Sequence, residues 1–225
     1  MKKLSLSSSA LKLIAALTML VDHVGLLFFT EELWWRVVGR ISFPLFAFLI
    51  AEGYRRTSNL QGYAGRLFLF AVFSQIPFTL FLHAAGYEDV GLNIFFSLSA
   101  GLIALAVTTK HPVCHSVPFI IFISFVAELL RFDYGAYGIL TVLASYCLLQ
   151  RKTIGTVLLA FLPFLQTTMQ AIAGIFFVQF TAVLSLPFAL LYNGRRGMPL
   201  PRYFFYWFYP VHLLLLWLMW LVLFS

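Results

Sequence analysis

The chain has 225 residues, of which 62% are hydrophobic and 10% charged, and its formal net charge at pH 7 is +7. A soluble domain of this size cannot bury so much apolar surface, so the composition excludes a soluble globular protein and predicts an integral protein of the lipid bilayer. The Lys and Arg residues lie in short clusters between apolar runs rather than in one basic stripe, which argues against nucleic acid as a partner.

The apolar runs predict about nine membrane-spanning helices in one polytopic all-α domain, residues 1–225. They are separated by Gly, Pro or charged residues and lack the alternating pattern of a membrane β-barrel. The fourth, sixth and seventh are shorter than the roughly 17 residues that a span needs, so they lie inside the bundle, extend into their flanks or re-enter the membrane. The predicted spans are Ala10–Phe29, Leu33–Ala51, Ala64–Leu82, Ile94–Thr108, Val113–Leu130, Tyr137–Leu149, Thr153–Leu165, Ala171–Tyr192 and Tyr203–Phe224.

The basic residues predict an orientation with the N terminus in the cytoplasm, because cytoplasmic loops of membrane proteins are rich in Lys and Arg. In that orientation Arg36, Arg40 and Arg131 lie toward the outside, and Glu128 is expected to pair with Arg131 three residues later on the same helix face. The remaining twelve of the 15 Lys and Arg residues lie toward the cytoplasm: Lys2, Lys3, Lys12, Arg55, Arg56, Arg66, Lys110, Arg151, Lys152, Arg195, Arg196 and Arg202.

The first two spans contain the residues that are most costly to place in a membrane. Asp22 and His23 fall in the first span and Arg40 in the second, and the short connection makes these helices antiparallel neighbours. At about 1.5 Å per residue, His23 and Arg40 both lie roughly 10 Å below the outer surface. We therefore predict an ion pair between Asp22 and Arg40 beside His23. The plainer alternative for His23 is a buried histidine bonded to a backbone carbonyl.

Later segments add further polar residues. Pro44, inside the second span, is expected to free the backbone carbonyl of Arg40. Tyr209 and His212 fall near the middle of the last span, where a structural role explains His212 equally well. The cluster of two histidines and Cys114 at residues 111–115 is discounted as a metal site, because a proline breaks it and no acidic ligand lies nearby.

Short motifs in order along nearly the whole chain resemble the TraX family of membrane proteins, which is associated with N-terminal acetylation of conjugative pilin. The resemblance implies an N-acetyltransferase of the bacterial inner (cytoplasmic) membrane. It would move an acetyl group from cytoplasmic acetyl-CoA, without a metal, to a protein or small amine acceptor on the outer side, a pilin N terminus among them. The matching motifs are Leu20–His23, Gly39–Phe48, Arg66–Leu67, Leu92–Ile94, Tyr134–Gly138 and Phe208–Leu213.

Arginines on the predicted cytoplasmic side are the expected contacts of the acetyl-CoA phosphates, because a guanidinium donates two parallel hydrogen bonds to a phosphate. The alternative is that these residues only set the membrane topology. They are Arg55, Arg56, Arg66, Arg195, Arg196 and Arg202.

His23 is the predicted general base, because an amine acceptor arrives protonated and an imidazole accepts protons near neutral pH. Asp22 is expected to hold Arg40 rather than to orient His23, since adjacent residues on a helix do not face each other. Arg40, Tyr209 or His212 would stabilise the oxyanion of the reacting carbonyl. Direct transfer and a route through an acetyl-histidine both remain open.

Two other functions fit buried ionisable residues in a helical bundle. One is a proton-coupled transporter of a small solute, although the chain is short and has no inverted repeat. The other is a non-catalytic pilin assembly partner, which would bind pilin and leave its mass unchanged.

Overall fold

The computed structural model describes residues 5–172, 178–199, 201 and 203–224. In these ranges the regular structure is helical, apart from two isolated β-bridges between loop residues, which confirms the all-α fold. Ser7, Asn59 and Asn93 accept hydrogen bonds from backbone N–H groups in the first turns of α1, α4 and α5. The helices are α1 (Ser8–Phe28), α2 (Leu33–Gly39), α3 (Ser42–Arg56), α4 (Leu60–Ala84), α5 (Ile94–Lys110), α6 (Val113–Leu129), α7 (Gly135–Gln150), α8 (Lys152–Ile172), a 3₁₀ helix (Gln179–Ser185), α9 (Leu186–Leu190) and α10 (Phe204–Phe224).

Among the described residues, five segments are long and apolar enough to cross a membrane: Ser8–Phe28, Leu33–Arg56, Leu60–Ala84, Lys152–Ile172 and Phe204–Phe224. The other apolar helical segments are shorter, with 10–17 residues each. The polytopic membrane bundle is therefore confirmed, while the count of nine spans stays a prediction. We call the end of the bundle with Lys12, Arg56, Lys110 and Arg151 the basic end, and the end with Glu31, Glu32, Asp89 and Asp133 the opposite end.

The second predicted span consists of two helices, because the chain turns at Arg40 and Ile41 between α2 and α3. Pro44 consequently lies in the first turn of α3, where backbone N–H groups have no partner within the helix and a proline costs little. The expectation of a proline inside one continuous helix is wrong. The break places Arg40 at the junction of two helices.

The seventh span was predicted as Thr153–Leu165, but α8 continues to Ile172. Thr167 and Thr168 lie in its last turns, and their hydroxyls donate to the carbonyls of Pro163 and Phe164 at 2.8 and 2.9 Å. These hydrogen bonds within the helix satisfy polar side chains in an apolar setting. The polar residues between the seventh and eighth predicted spans are therefore helical.

The eighth predicted span, Ala171–Tyr192, is wrong as one long helix. Residues 173–177 lie outside the described part of the chain, and the remainder forms the 3₁₀ helix followed by α9. Pro187 lies in the first turn of α9. Because proline lacks an N–H donor and clashes with the preceding turn, an α-helix cannot run unbroken through it.

α3 forms the centre of the bundle. In its span 56% of the residues are buried, against 22% in the span formed by α8, which therefore lies at the periphery. Phe43 and Phe48 of α3 are almost completely buried and belong to two neighbouring apolar clusters. α1, α4, α5, α7 and α10 contribute to the larger cluster, so side chains from the first and last helices meet beside α3.

The predicted pair of Glu128 and Arg131 is wrong. Arg131 forms an ion pair with Asp89, and Glu128 instead accepts a hydrogen bond from the backbone N–H of Ala136 at 2.8 Å. The reason is the backbone of Arg131, whose φ of 55° turns the chain at the end of α6. Its side chain therefore leaves the helix face that carries Glu128, which stabilises the first turn of α7 instead.

Candidate functional site

Two buried histidines from the first and last helices meet. Nδ1 of His23 lies 2.9 Å from Nε2 of His212, and Nδ1 of His212 lies 2.7 Å from the carbonyl oxygen of Phe208. A carbonyl only accepts, so Nδ1 of His212 carries the hydrogen, and Nε2 of the neutral ring accepts from Nδ1 of His23. This hydrogen-bond chain leaves Nε2 of His23 with a lone pair.

Aromatic contacts hold both imidazoles in place. The ring of Phe208 stacks on His212, with centroids 4.8 Å apart and an interplanar angle of 17°. Phe81 contacts His23 edge-on, with centroids 5.1 Å apart. The description of a buried histidine bonded to a backbone carbonyl therefore fits both rings, because His212 contacts the carbonyl of Phe208 and His23 has a hydrogen bond to the backbone of Met19.

Asp22 forms the predicted ion pair with Arg40 and also a second one with Arg36. Nη1 of Arg36 donates to Oδ2 of Asp22 at 2.8 Å, and Nη2 of Arg40 lies 3.3 Å from both carboxylate oxygens. The chain brings the helices this close because Gly39 of α2 lies against the Asp22 side chain, where any Cβ would overlap with it. The ion pair is confirmed, and Arg36 was missed.

Arg40 extends this network to the 3₁₀ helix. Its Nη1 donates to Oε1 of Gln179 at 3.1 Å, and both residues are buried. Nε of Arg40 and Nε2 of Gln179 have no hydrogen-bond partner among the described residues. Two buried donors therefore remain available beside the ion pairs.

His23 lines a cavity of about 320 Å³ toward the opposite end, which we call the His23 cavity. Such a volume suffices for a small ligand or the end of a longer one. Its polar and charged wall consists of Asp22, His23, Arg36, Arg40, Ser42, Tyr87, Arg131, Asp133, Tyr134, Tyr137, Gln166, Gln170, Gln179 and Tyr209.

A second cavity, of about 300 Å³, is lined by residues of the basic end, and we call it the Lys12 cavity. Lys12 and Arg66 supply its positive charge, and Arg56 also lines it. Glu52 also lines it, but its carboxylate is occupied by an ion pair with Arg56 and by a hydrogen bond of 2.6 Å from the Tyr192 hydroxyl. The cavity therefore suits an anionic group.

The six arginines predicted to bind phosphate are not all brought together. Arg56 and Arg66 line the Lys12 cavity, as just described. The Arg55 side chain is exposed and reaches the carbonyl of Leu149, away from this cavity. Arg195 and Arg196 are exposed in the loop after α9 and do not line it, and Arg202 lies outside the described residues.

The two cavities share three wall residues, Met19, Ile94 and Tyr209. Met19 lies one helical turn before His23 on α1, and Tyr209 lies three residues before His212 on α10, with ring centroids 5.8 Å apart. The histidine pair is thus adjacent to the wall that separates a basic cavity from a cavity at the opposite end.

Residues 7–220 match the family described as TraX protein. The chain belongs to the TraX family. It is 32% identical to a probable fimbrial assembly protein FimC of serogroup H1 from Dichelobacter nodosus, over 96% of both chains. It is also 26% identical to a protein TraX from Escherichia coli, over 92% of this chain and 84% of that protein. No solved structure matches the chain at a significant level.

In this TraX-family chain, the five predicted catalytic residues lie in one region. Four of them line the His23 cavity: Asp22, His23, Arg40 and Tyr209. His212 does not line the cavity but contacts His23. Their roles in catalysis remain predictions.

Several polar residues of the TraX-family site were missed. Arg36 lies four residues before Arg40, and Gln166 lies four before Gln170, so helical spacing was a signal for both pairs. Lys12 was counted only for topology. Gln179 is 139 residues from Arg40 in sequence, and no local pattern indicates their contact.

Proposed function

We propose that this chain is a membrane-embedded N-acetyltransferase. The acetyl group of acetyl-CoA enters through the Lys12 cavity and passes to an amine in the His23 cavity. The observation that carries the proposal is the shared wall at Met19, Ile94 and Tyr209, beside the hydrogen-bonded histidines. Two cavities that meet at a candidate general base suit a donor and an acceptor that approach from opposite ends.

The charge and size of the Lys12 cavity support acetyl-CoA as the donor. Lys12 and Arg66 offer cationic donors to phosphates, which guanidinium groups bind in a bidentate manner. A cavity of about 300 Å³ is at the lower limit of sites that enclose a drug-sized ligand, and acetyl-CoA is larger. The cavity therefore holds the thioester arm, while the nucleotide remains at the basic end.

The distribution of charge supports a cytoplasmic location for the basic end. Twelve of the 15 Lys and Arg residues belong to that side in the predicted topology, as expected for cytoplasmic loops. Acetyl-CoA would then be drawn from the cytoplasm, and the His23 cavity would face the outer side of a bacterial inner membrane.

The proposed reaction begins with an ammonium, because α-amino groups have pKa values of about 8. His23 Nε2 takes one proton from it, and the free amine attacks the thioester carbonyl. The nitrogen–carbon bond forms, the carbon–sulfur bond breaks, and the second nitrogen proton goes to the departing sulfur. His23 then releases its proton to water in the cavity.

The neighbouring groups take defined parts in this scheme. His212 is a positioning residue, since its two ring nitrogens are engaged by His23 and by the Phe208 carbonyl. That arrangement leaves no donor on His212 for an oxyanion, so Tyr209, which lines both cavities, is the preferred donor. Asp22 and Arg40 fix the wall of the acceptor cavity.

The relatives support a pilin N terminus as the acceptor. One of them is named a probable fimbrial assembly protein and aligns over 96% of its length. Acetylation removes the positive charge of an N terminus, a change that alters how subunits pack.

The experiment measures transfer from radiolabelled acetyl-CoA to a peptide amine by the purified protein in liposomes. His23→Ala should lose at least about 10²-fold in kcat, the lower end of general-base effects. The control is His115→Ala, because His115 is exposed in α6, lines neither cavity and should leave the rate unchanged. Near-normal turnover of a folded His23→Ala protein would remove His23 from the mechanism.

Paired cavities also suit a proton-coupled carrier, which is the second candidate. A carrier moves a solute and consumes no acetyl-CoA, whereas the proposed enzyme releases free coenzyme A in proportion to acetylated product. A non-catalytic assembly partner would bind pilin without any release of coenzyme A.

A further inference from the structure

Asp133 lies in the loop at residues 130–134, between α6 and α7, and lines the His23 cavity. The loop is held by backbone hydrogen bonds to the segment before α5. The N–H of Asp133 donates to the carbonyl of Leu92 at 2.8 Å, and the N–H of Leu92 donates to the carbonyl of Arg131 at 2.9 Å. The backbone of Asp133 therefore has a fixed position at the cavity.

The residue that follows strengthens this anchoring. The ring of Tyr134 stacks on Phe43 of the central helix α3, with centroids 3.7 Å apart and an interplanar angle of 6°. Its backbone N–H lies 3.3 Å from the hydroxyl oxygen of Ser97. A loop fixed on both sides of one acidic residue is suited to present that residue to a ligand.

Most charged groups around the His23 cavity have a direct ion-pair partner. Asp22 forms ion pairs with both Arg36 and Arg40, so this group of three keeps one positive charge, and Arg131 forms an ion pair with Asp89. Arg40 and Arg36 act on Asp133 electrostatically but do not contact it. Within the described part of the chain, the carboxylate of Asp133 has neither a hydrogen bond nor an ion pair. It is the acidic group of the cavity wall that remains available to a cation.

A carboxylate without a direct partner can form a charge-assisted hydrogen bond with a cation that enters the cavity. The Asp133 side chain is exposed to the cavity. The protein around it nevertheless limits its hydration, and this desolvation raises the pKa of Asp133 to about 6. At neutral pH the group still carries its charge for most of the time. It can therefore bind an ammonium.

We propose that Asp133 binds the ammonium group of the amine acceptor and that this contact selects free N termini. The inference rests on the proposed function, because it assigns the acceptor to the His23 cavity. Asp133 and His23 line the same cavity of about 320 Å³, so both face a peptide end that enters it. An N-terminally blocked peptide lacks the charge and is excluded.

The first test measures binding and needs no turnover. The probe is trialanine amide, whose α-amine is its only ionisable group, and the comparison is N-acetyl-trialanine amide. The wild-type protein in detergent should bind the free amine at least about tenfold more tightly than the capped peptide, a difference of about 1.4 kcal/mol. Equal binding of the two peptides, or none of the free amine, would overturn the proposal.

The second test compares Asp133→Asn with Glu88→Gln, an exposed acidic residue of the neighbouring loop that does not line the cavity. Asp133→Asn should raise the KM for trialanine amide at least about tenfold and leave the KM for acetyl-CoA unchanged, whereas Glu88→Gln should change neither. If the Asp133→Asn variant does not fold, Asp133→Ser replaces it in the same measurement. An unchanged KM for the peptide would overturn the role of Asp133.

The acetyltransferase function and the ammonium site can be refuted independently. If the wild-type protein binds the free amine selectively but transfers no acetyl group, the acetyltransferase function fails and the ammonium site stands. If acetyl transfer occurs and Asp133→Asn leaves the peptide KM unchanged, the function stands and the ammonium site fails.

Discussion

Asp22 shows how single residues hold the candidate site together. Its carboxylate forms ion pairs with both Arg36 and Arg40, and its side chain and that of Arg40 are only 13% and 9% exposed. Two cations that lose their common partner in such surroundings repel each other and remain poorly solvated. The ion pairs of Asp22 with Arg36 and Arg40 therefore stabilise the fold, apart from any role in a reaction.

We expect Asp22→Asn to lower the free energy of unfolding by about 3 kcal/mol, because breaking a buried ion pair from one side leaves an uncompensated charge. The measurement is unfolding in mixed detergent micelles. Asp89→Asn is the control: Asp89 and Arg131 are 71% and 60% exposed, so its loss should cost less than about 1 kcal/mol. Equal losses in both variants would contradict the account of the buried network.

Arg66 is a residue of the Lys12 cavity that we expect to bind acetyl-CoA. Arg66→Ala should raise the KM for acetyl-CoA at least about tenfold, since a charge-assisted hydrogen bond contributes about 1.5–3 kcal/mol. Arg151→Ala, an exposed arginine at the same end that does not line the Lys12 cavity, should leave that KM unchanged. A similar rise in both variants would indicate a general effect of charge rather than a phosphate contact.

At the scale of helices, the site depends on the close approach of α1 and α2. Gly25 lies against the Trp35 side chain and Gly39 against that of Asp22, and a Cβ at either glycine would overlap with its neighbour. These two contacts bring Arg36 and Arg40 within reach of Asp22. α3 then follows directly after Arg40 and Ile41 and continues into the core.

Gly39→Ala should therefore destabilise the protein by about 1–3 kcal/mol, the usual cost of overpacking, in the same unfolding measurement. Gly65→Ala is the matched control within α4. A Cβ at Gly65 meets no atom within 4 Å, so the change should be neutral or stabilise the protein by up to about 1 kcal/mol. A neutral Gly39→Ala would show that α1 and α2 are less tightly packed than described.

For the whole molecule, hydropathy was sufficient to predict a helical membrane bundle and most helix positions. Hydropathy could not predict the 3₁₀ helix. The segment that contains Gln179 and Pro187 takes its structure from tertiary contacts, such as the hydrogen bond between Arg40 and Gln179. The pair of Asp22 and Arg40 was predictable, since a short connection joins their helices. The contact of His23 with His212 spans 189 residues, and only the packing of α1 against α10 produces it.

Inverted membrane vesicles show whether an acetyl group crosses between the two cavities. Radiolabelled acetyl-CoA is added outside, at the basic end, and trialanine amide is trapped inside. We expect labelled peptide in the lumen, release of coenzyme A outside, and loss of both with His23→Ala. Unlabelled luminal peptide, in vesicles whose protein is folded and correctly oriented, would contradict it.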